Sequence, residues 1–435
     1  MKYTAFASTE SVCPVCLGVI KAEKCVGEDG NVYMVKRCPE HGEFSALIWE
    51  GGIVDYLLWN TAPGGGNAPG NTRAPEKGCP YDCGLCGAHE SAGCCVLLEL
   101  TARCNLRCPV CFASAGEKCA DDPTLGEIAA LYDMLMARGG PFNIQLSGGE
   151  PTVRDDLPEI VRLGRERGFS FFQLNTNGLR LADEDGYAEG LRAAGVSCAF
   201  LQFDGLRGAS YEALRGRDLA AVKLRAIERC AAAGLPVVLV PTLAPGVNVD
   251  EIGDILRFAL SRSPAVRGVH FQPVSYFGRC ALAAPETRLT IPRVLREIEA
   301  QTGGLMRREH FAGGGAESSY CSFHASYRRE RDGSLSALPR RTGGCCCRSS
   351  EARDFVAGRW GACEAGEPAD GFDAFLREAN ERVFTVSGMV FQDADNLDLE
   401  RLRRCYINEA DPERGLVPFC AYNLTSRDGR ALYRR

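Results

Sequence analysis

The chain has 435 residues, more than a single core usually encloses, so a main domain with smaller appendages is expected. Hydrophobic residues are 45% and charged residues 24%, as in an ordinary soluble globular protein, and the net charge of -6 gives no reason to expect a nucleic acid partner. No apolar run is long enough to cross a bilayer, and residues 1–22 lack the basic start and apolar stretch of a secretory signal, so a cytoplasmic protein without a transmembrane segment is expected. Twenty-three cysteines stand beside five histidines. Disulfide-rich secreted proteins reach such a density, but they are short; here the cysteines fall into the close spacings of metal ligands.

Residues 1–60 read as a metal-stapled module. Cys13-Pro14-Val15-Cys16 is followed by Cys38-Pro39-Glu40-His41. Cys-x2-Cys paired with Cys-x2-His is a tetrahedral-site pattern, for which zinc is the first expectation and a rubredoxin-like mononuclear iron the second. Cys25 fits neither half and is expected to be free. Residues 61–95 open on a linker rich in Gly, Pro and Asn (61–78) and close on a cysteine triplet, Cys79, Cys83 and Cys86. With Cys94 or Cys95 as a fourth thiolate this reads as an auxiliary [4Fe–4S] cluster; a zinc site using His89 is the alternative.

Between 96 and 278 short apolar runs alternate with helical patterns. Strands are expected at 96–100, 142–147, 170–175, 198–204, 236–242 and 269–273, and an amphipathic helix within 125–140, where the text ends in Gly-Gly. This rhythm gives βαβ units and a parallel sheet, and six strands suit a partial barrel as well as a doubly wound sheet. Cys198 and Cys230 lie in apolar stretches and are expected to be small core residues. The unusual polar residues fall just past the strands: Cys104, Cys108 and Cys111, then Ser147-Gly148-Gly149-Glu150, Asn175 to Gly178, Gln202 to Gly205, and Gln272. In barrels the C-terminal strand ends form the active face. Three thiolates hold three irons of a [4Fe–4S] cube and leave the fourth iron for another ligand. The triplet directly after the first barrel strand is therefore the catalytic candidate.

From 279 to 435 the rhythm is lost and cysteines return: Cys321, Cys345, Cys346, Cys347, Cys363, Cys405 and Cys420. Their spacing defines no motif. Four converging thiolates would make another cluster, and Cys321, Cys405 and Cys420 are candidate ligands. Neighbouring side chains point in different directions, so Cys345, Cys346 and Cys347 are not expected to share one cluster; one is expected to ligate and another to be a redox-active or substrate-facing thiol. Arg328, Arg329, Arg331, Arg340 and Arg341 suit a phosphate headgroup, but such a run is more often solvated surface.

The stretch ELTARCNLRCPVCFAS (99–114) resembles the signature of the radical S-adenosylmethionine (SAM) superfamily, including Phe112 after the third cysteine, and Ser147 to Pro151 resembles its glycine-rich motif. The resemblance implies a partial (β/α)6 barrel with small Cys-rich metal-binding N- and C-terminal appendages. It implies one SAM-binding [4Fe–4S] cluster on Cys104, Cys108 and Cys111, with one or two auxiliary clusters. It implies SAM held near Phe112, Gly148, Gly149 and Glu150, with Asn175, Gln202, Asp204 and Thr242 as candidate contacts to its ribose and methionine parts. The N-terminal module, CPYDCGLC (79–86) and LVPFCAYN (416–423) are similar to a subgroup containing tetraether lipid synthases and hydroxymethylpterin methylases, and the Cys-rich tail to the TrsS set, which includes selenoproteins. The implied function is activation of a C–H bond for C–C coupling or methylation of a lipid, pterin or peptide, with a ferredoxin or flavodoxin as electron donor. A peptide maturase and a non-catalytic iron–sulfur electron carrier are the alternatives.

Overall fold

The computed structural model describes residues 1–60, 75–84, 86–91, 93–116, 121–282, 288–314, 317–339, 349–361 and 370–434. Most of the expected linker, Cys345 to Cys347, Cys363, Arg340 and Arg341 lie outside the described residues. The chain begins with a four-stranded antiparallel meander, β1 (Tyr3–Val12), β2 (Val19–Gly27), β3 (Val32–Cys38) and β4 (Gly42–Trp49), followed by helix α1 (Ile53–Trp59). The tight turns between β1 and β2 and between β3 and β4 carry the cysteines and the histidine, and Cys25 sits apart within β2.

A larger sheet forms the body. Strand β5 (Cys95–Glu99) leads into a loop holding β6 (Val110–Cys111), then α2 (Leu125–Ala137) and β7 (Asn143–Ser147). Helix α2 starts where expected because Thr124 and Glu127 form a reciprocal capping box. Units α3 (Leu157–Glu166)–β8 (Phe172–Thr176), α4 (Leu179–Asp183)–α5 (Tyr187–Ala194)–β9 (Cys198–Gln202) and α6 (Gly208–Arg215)–α7 (Ala220–Ala232)–β10 (Val237–Val240) follow. After β11 (Thr242–Leu243) and α8 (Ile252–Ser261) comes β12 (Val266–Pro273), then β13 (Arg279–Cys280), which pairs with β6 beside the cysteine loop. The six expected strands are thus β5, β7, β8, β9, β10 and β12, all parallel to their neighbours.

The sheet does not stop there. The chain continues through α9 (Ile291–Gln301), β14 (Ser322–Arg329), β15 (Leu335–Ala337), α10 (Ser349–Trp360) and α11 (Gly371–Glu381) to β16 (Val383–Met389). It ends with α12 (Leu399–Arg403), β17 (Ile407–Asp411), β18 (Gly415–Pro418) and α13 (Phe419–Tyr422). β16 adds in parallel beside β12 and β17 in parallel beside β5, so strands from beyond residue 279 flank the expected six on both sides. β14 and β15 extend one edge antiparallel and β18 the other.

Alternation along the strands sorts the side chains. Val96, Leu98, Ile144, Leu146, Phe172, Leu174, Leu201, Leu239 and Val269 join the helices in the main core. Their alternates Leu97, Gln145, Ser147, Asn175, Phe200, Gln202, Val240 and His270 face a central cavity instead. Cys198 and Cys230 are fully buried among apolar neighbours. Among the described residues no helix is long and apolar enough to cross a membrane.

Candidate active site and metal centres

The central cavity has a volume of about 1570 Å³ and opens where Cys104, Cys108 and Cys111 stand past β5. The loop that carries them is pressed against the glycine turn past β7. A Cβ on Gly148 would run into the Thr101 carbonyl, and one on Gly149 into that of Arg103. The Gly149 and Glu150 amides donate to those same carbonyls at 2.7 and 2.9 Å. Glycine is required here because two backbones touch, and Gly148 also holds a left-handed φ of 122°. The result is a three-thiol loop on a backbone cradle, open toward the cavity, which fits a cluster held through three irons. Burial raises the Cys104 thiol to about 12, a cost that ligation to iron removes because the thiolate is the ligand. Phe112 packs against Phe419 with the rings tilted by 50° and their centroids 5.6 Å apart, and the Arg434 guanidinium lies over it.

The other expected contacts divide by geometry. Phe112, Gly148, Gly149, Glu150, Asn175, Gln202 and Thr242 all line the cavity. The Glu150 carboxylate is buried and accepts from Thr152 N and Oγ1, from Thr176 Oγ1 at 2.7 Å and from Asn177 N at 2.7 Å. It therefore ties the glycine turn to the end of β8. Asn175 bridges Gln173 and Gln145 along the wall. Asp204 does not face the cavity. It is fully buried and accepts two hydrogen bonds from Arg215, each 2.7 Å, so its role is corrected from ligand contact to holding an arginine.

Sequence reasoning missed that arginine. Arg215, on α6, lines the cavity, donates to Thr242 Oγ1 at 2.8 Å and to the Val110 carbonyl at 3.2 Å, and brings positive charge to Cys108. With its amide oxygen turned toward Arg215, Gln202 accepts from it at 3.0 and 3.1 Å. Asn177 was read only as part of a turn, yet it donates to Asn105 inside the cysteine loop at 2.7 Å. No sequence spacing links these residues, although an Asn within a Cys-x3-Cys loop is a usable signal. Deeper in the cavity Phe200, His270 and Trp360 form an aromatic wall, with ring centroids 4.7 to 5.8 Å apart. His270 is held by Ser387 Oγ at 2.9 Å, and burial lowers its pKa to about 4, so the ring is neutral.

The remaining cysteines sort into separate groups. Cys13, Cys16, Cys38 and His41 converge, their ligand atoms all within 4.8 Å of one another. The separations are 4.0 Å for Cys16–Cys38, 3.7 Å for Cys13–His41 and 3.4 Å for Cys38–His41. Ligands about 2.0–2.3 Å from one tetrahedral zinc sit at such spacings, so the set fits a mononuclear metal. The His41 hydrogen bond lowers Cys38 to about 6, favouring the thiolate a metal needs. Cys79 and Cys83 influence one another electrostatically beside Arg403 and Tyr433, outside the cavity wall, and Cys86 acts on Cys83. Cys321 lies within electrostatic reach of Cys405 and Cys420, although far from them in sequence, with Arg401 donating to Cys321 Sγ at 3.2 Å. Cys94 does not join the 79–86 triplet: it pairs with Cys95, sulfur to sulfur 3.8 Å, on the cavity wall. His89 is occupied by the Cys405 carbonyl at 2.7 Å.

A parallel α/β barrel core with a thiol triplet past its first strand and a glycine turn past its second defines a radical SAM enzyme. The chain belongs to the radical SAM superfamily, whose domain matches residues 98–259, and an HMPTM N-terminal zinc ribbon domain matches residues 5–50. Along 96% of its length it is 33% identical to the 7,8-dihydro-6-hydroxymethylpterin dimethyltransferase of Methanocaldococcus jannaschii, covering 94% of that protein. It is 30% identical to GTP 3',8-cyclase 1 of Mycobacterium tuberculosis over 48% of this chain and 58% of that one. Among solved structures, Streptococcus suis SuiB bound to S-adenosylmethionine matches 50% of this chain and 48% of its own, with 14% identity and a TM-score of 0.42. Family membership brings a [4Fe–4S] cluster and SAM as cofactors, and the ribbon brings a metal site of the zinc type.

Proposed function

We propose that this enzyme methylates a C–H carbon of a small flat heterocycle of the pterin class, with a separate one-carbon donor as co-substrate supplying the methyl carbon. The observation that carries the reading is whole-chain similarity to the pterin dimethyltransferase, ribbon included. The cavity supports it: about 1570 Å³ exceeds the roughly 300–1,000 Å³ of a pocket for one ligand, leaving room for a ring beside SAM. In this reading Cys104, Cys108 and Cys111 hold the cluster, and the Gly148–Gly149 backbone, Phe112, Asn175, Gln202 and Thr242 surround SAM. Glu150 fixes the glycine turn and Asp204 aims Arg215. The bound cluster and SAM supply a 5′-deoxyadenosyl radical by reductive C–S cleavage. The aromatic wall and neutral His270 exclude water and orient the ring. Cys79, Cys83 and Cys86, and separately Cys321, Cys405 and Cys420, hold auxiliary clusters, and a ferredoxin or flavodoxin supplies electrons.

The test is hydrogen abstraction. Reduced protein with SAM and 7,8-dihydro-6-hydroxymethylpterin deuterated on carbon is expected to form 5′-deoxyadenosine faster than without pterin, and the deuterium is expected in it. Formation at the pterin-free rate, without label, overturns the pterin reading while leaving the enzyme class intact.

A further inference from the structure

Cys94 and Cys95 occupy an unusual position. Adjacent residues of an extended chain send their side chains to opposite faces, yet both of these line the same cavity and the Cys95 thiol donates to Cys94 Sγ at 3.8 Å. Cys94 precedes β5, whose first residue is Cys95, and Gly93 before them takes a left-handed φ of 76°. The Arg353 guanidinium, which donates to the Gly93 carbonyl at 3.1 Å, and the Glu317 carboxylate exert their charge on both sulfurs. The two residues are buried from bulk water but face the same space as Cys104, Cys108 and Cys111. The metal groups described above do not use this pair.

A carbon radical confined in a cavity must lose an electron or gain a hydrogen atom before product leaves. A buried thiol that faces the cavity is a chemically apt donor, and a second sulfur beside it takes up the thiyl that donation leaves. We propose that Cys95, backed by Cys94, is the hydrogen-atom donor that ends the radical stage; this rests on the radical chemistry of the preceding reading. The Cys95 S–H bond breaks as the C–H bond forms, leaving a thiyl on Cys95. Cys94 releases its proton toward Glu317, and its sulfur bonds to the thiyl. One electron passes to an oxidised iron–sulfur centre of the chain, leaving a Cys94–Cys95 disulfide. In total one radical and two thiols give one C–H bond, one disulfide, one proton and one electron. A dithiol reductant restores the pair.

The substrate is not needed for the test, because without it the 5′-deoxyadenosyl radical occupies the same cavity. Reconstituted full-length protein is reduced with dithionite and given SAM in D2O, with no added thiol. The Cys95 thiol exchanges to S–D, whereas the carbon-bound hydrogens of protein and buffer do not. Wild type is expected to place deuterium in most of the first equivalent of 5′-deoxyadenosine made per chain, before the pair is spent as disulfide. Cys95→Ser is expected to lower the deuterium per molecule formed at least fivefold, and Cys94→Ala to keep it. A second readout is independent of turnover. Peptide mass mapping of wild type treated with oxidised glutathione is expected to show a Cys94–Cys95 disulfide, which Cys94→Ala cannot form. Iron content reports correct folding of each variant. Unlabelled 5′-deoxyadenosine from wild type, or equal labelling in wild type and Cys95→Ser, overturns the proposal. No 5′-deoxyadenosine from wild type overturns the radical reading beneath it.

Discussion

Asp204 and Arg215 show how a buried charge pair becomes a working part. Both are nearly inaccessible, and the arginine is satisfied by Asp204, Thr242 and the Val110 carbonyl at once. Removing one partner strands the other charge at a cost of about 3–5 kcal/mol, whereas replacing both with apolar residues costs less. Asp204→Leu is therefore expected to lower urea-unfolding stability by about that amount, and Asp204→Leu with Arg215→Met to recover part of it. Equal loss in single and double variants would show that the pair is not the unit. His270 makes a second prediction at this scale. Its folded pKa is near 4 against an ordinary 6.5, because burial disfavours the imidazolium. The unfolded chain takes up the proton first as pH falls, so the stabilisation is full above pH 6.5 and gone below 4. The loss across that window is about 3 kcal/mol. His270→Gln is expected to flatten this acid limb in denaturant titrations; an unchanged limb would place the titration elsewhere.

At the scale of elements, two cysteine triplets of identical spacing stand in different places. Cys104, Cys108 and Cys111 open on the cavity, whereas Cys79, Cys83 and Cys86 pack outside it against Tyr433 and Arg403. Replacing the first set with Ala is expected to abolish 5′-deoxyadenosine formation under strong reduction. Replacing the second is expected to spare uncoupled cleavage and impair turnover of the true substrate. The opposite pattern would mean that position past β5 does not decide the role. The spacing was legible in the sequence, and so was the ribbon, because its ligands come in two local pairs. The gathering of Cys321, Cys405 and Cys420 was not: it depends on β14, α12 and α13 arriving together from distant parts of the chain. Asp204 was misread for a related reason, since a polar residue past a strand is equally suited to a ligand or to a helix partner such as Arg215.

The ribbon is fastened to the rest of the molecule. Lys36, buried, donates to Ser11 at 3.0 Å and to the Ala394 carbonyl at 2.7 Å; Lys24 pairs with Asp398 at 2.8 Å, and the Arg427 amide donates to the Pro14 carbonyl. A module this small draws much of its folding free energy from its metal. Cys13→Ser is expected to lower the Tm and to loosen the 391–398 segment in hydrogen exchange. SAM cleavage by the protein that stays folded is expected to persist; its complete loss would give the ribbon metal a part in the chemistry. The six central strands were readable because each is a short apolar run and helical patterns separate them. β17, with the sequence Ile-Asn-Glu-Ala-Asp, has no such run, and its strand character comes from pairing with β5 on one side and β18 on the other.

That pairing has a consequence for how the protein is made. β5, the strand that leads into Cys104, has one edge covered by β7 and the other by β17 from the far end of the chain. While the ribosome is still translating the middle of the sequence, the second edge remains an open row of backbone donors and acceptors. Until β17 is made, the strand that leads into the cysteine loop therefore has no partner on that side. β17 covers that edge, and Phe419 packs against Phe112, only after the residues beyond 400 have been made. Truncation near residue 400 is therefore expected to leave a nascent chain that adheres to its neighbours through β5.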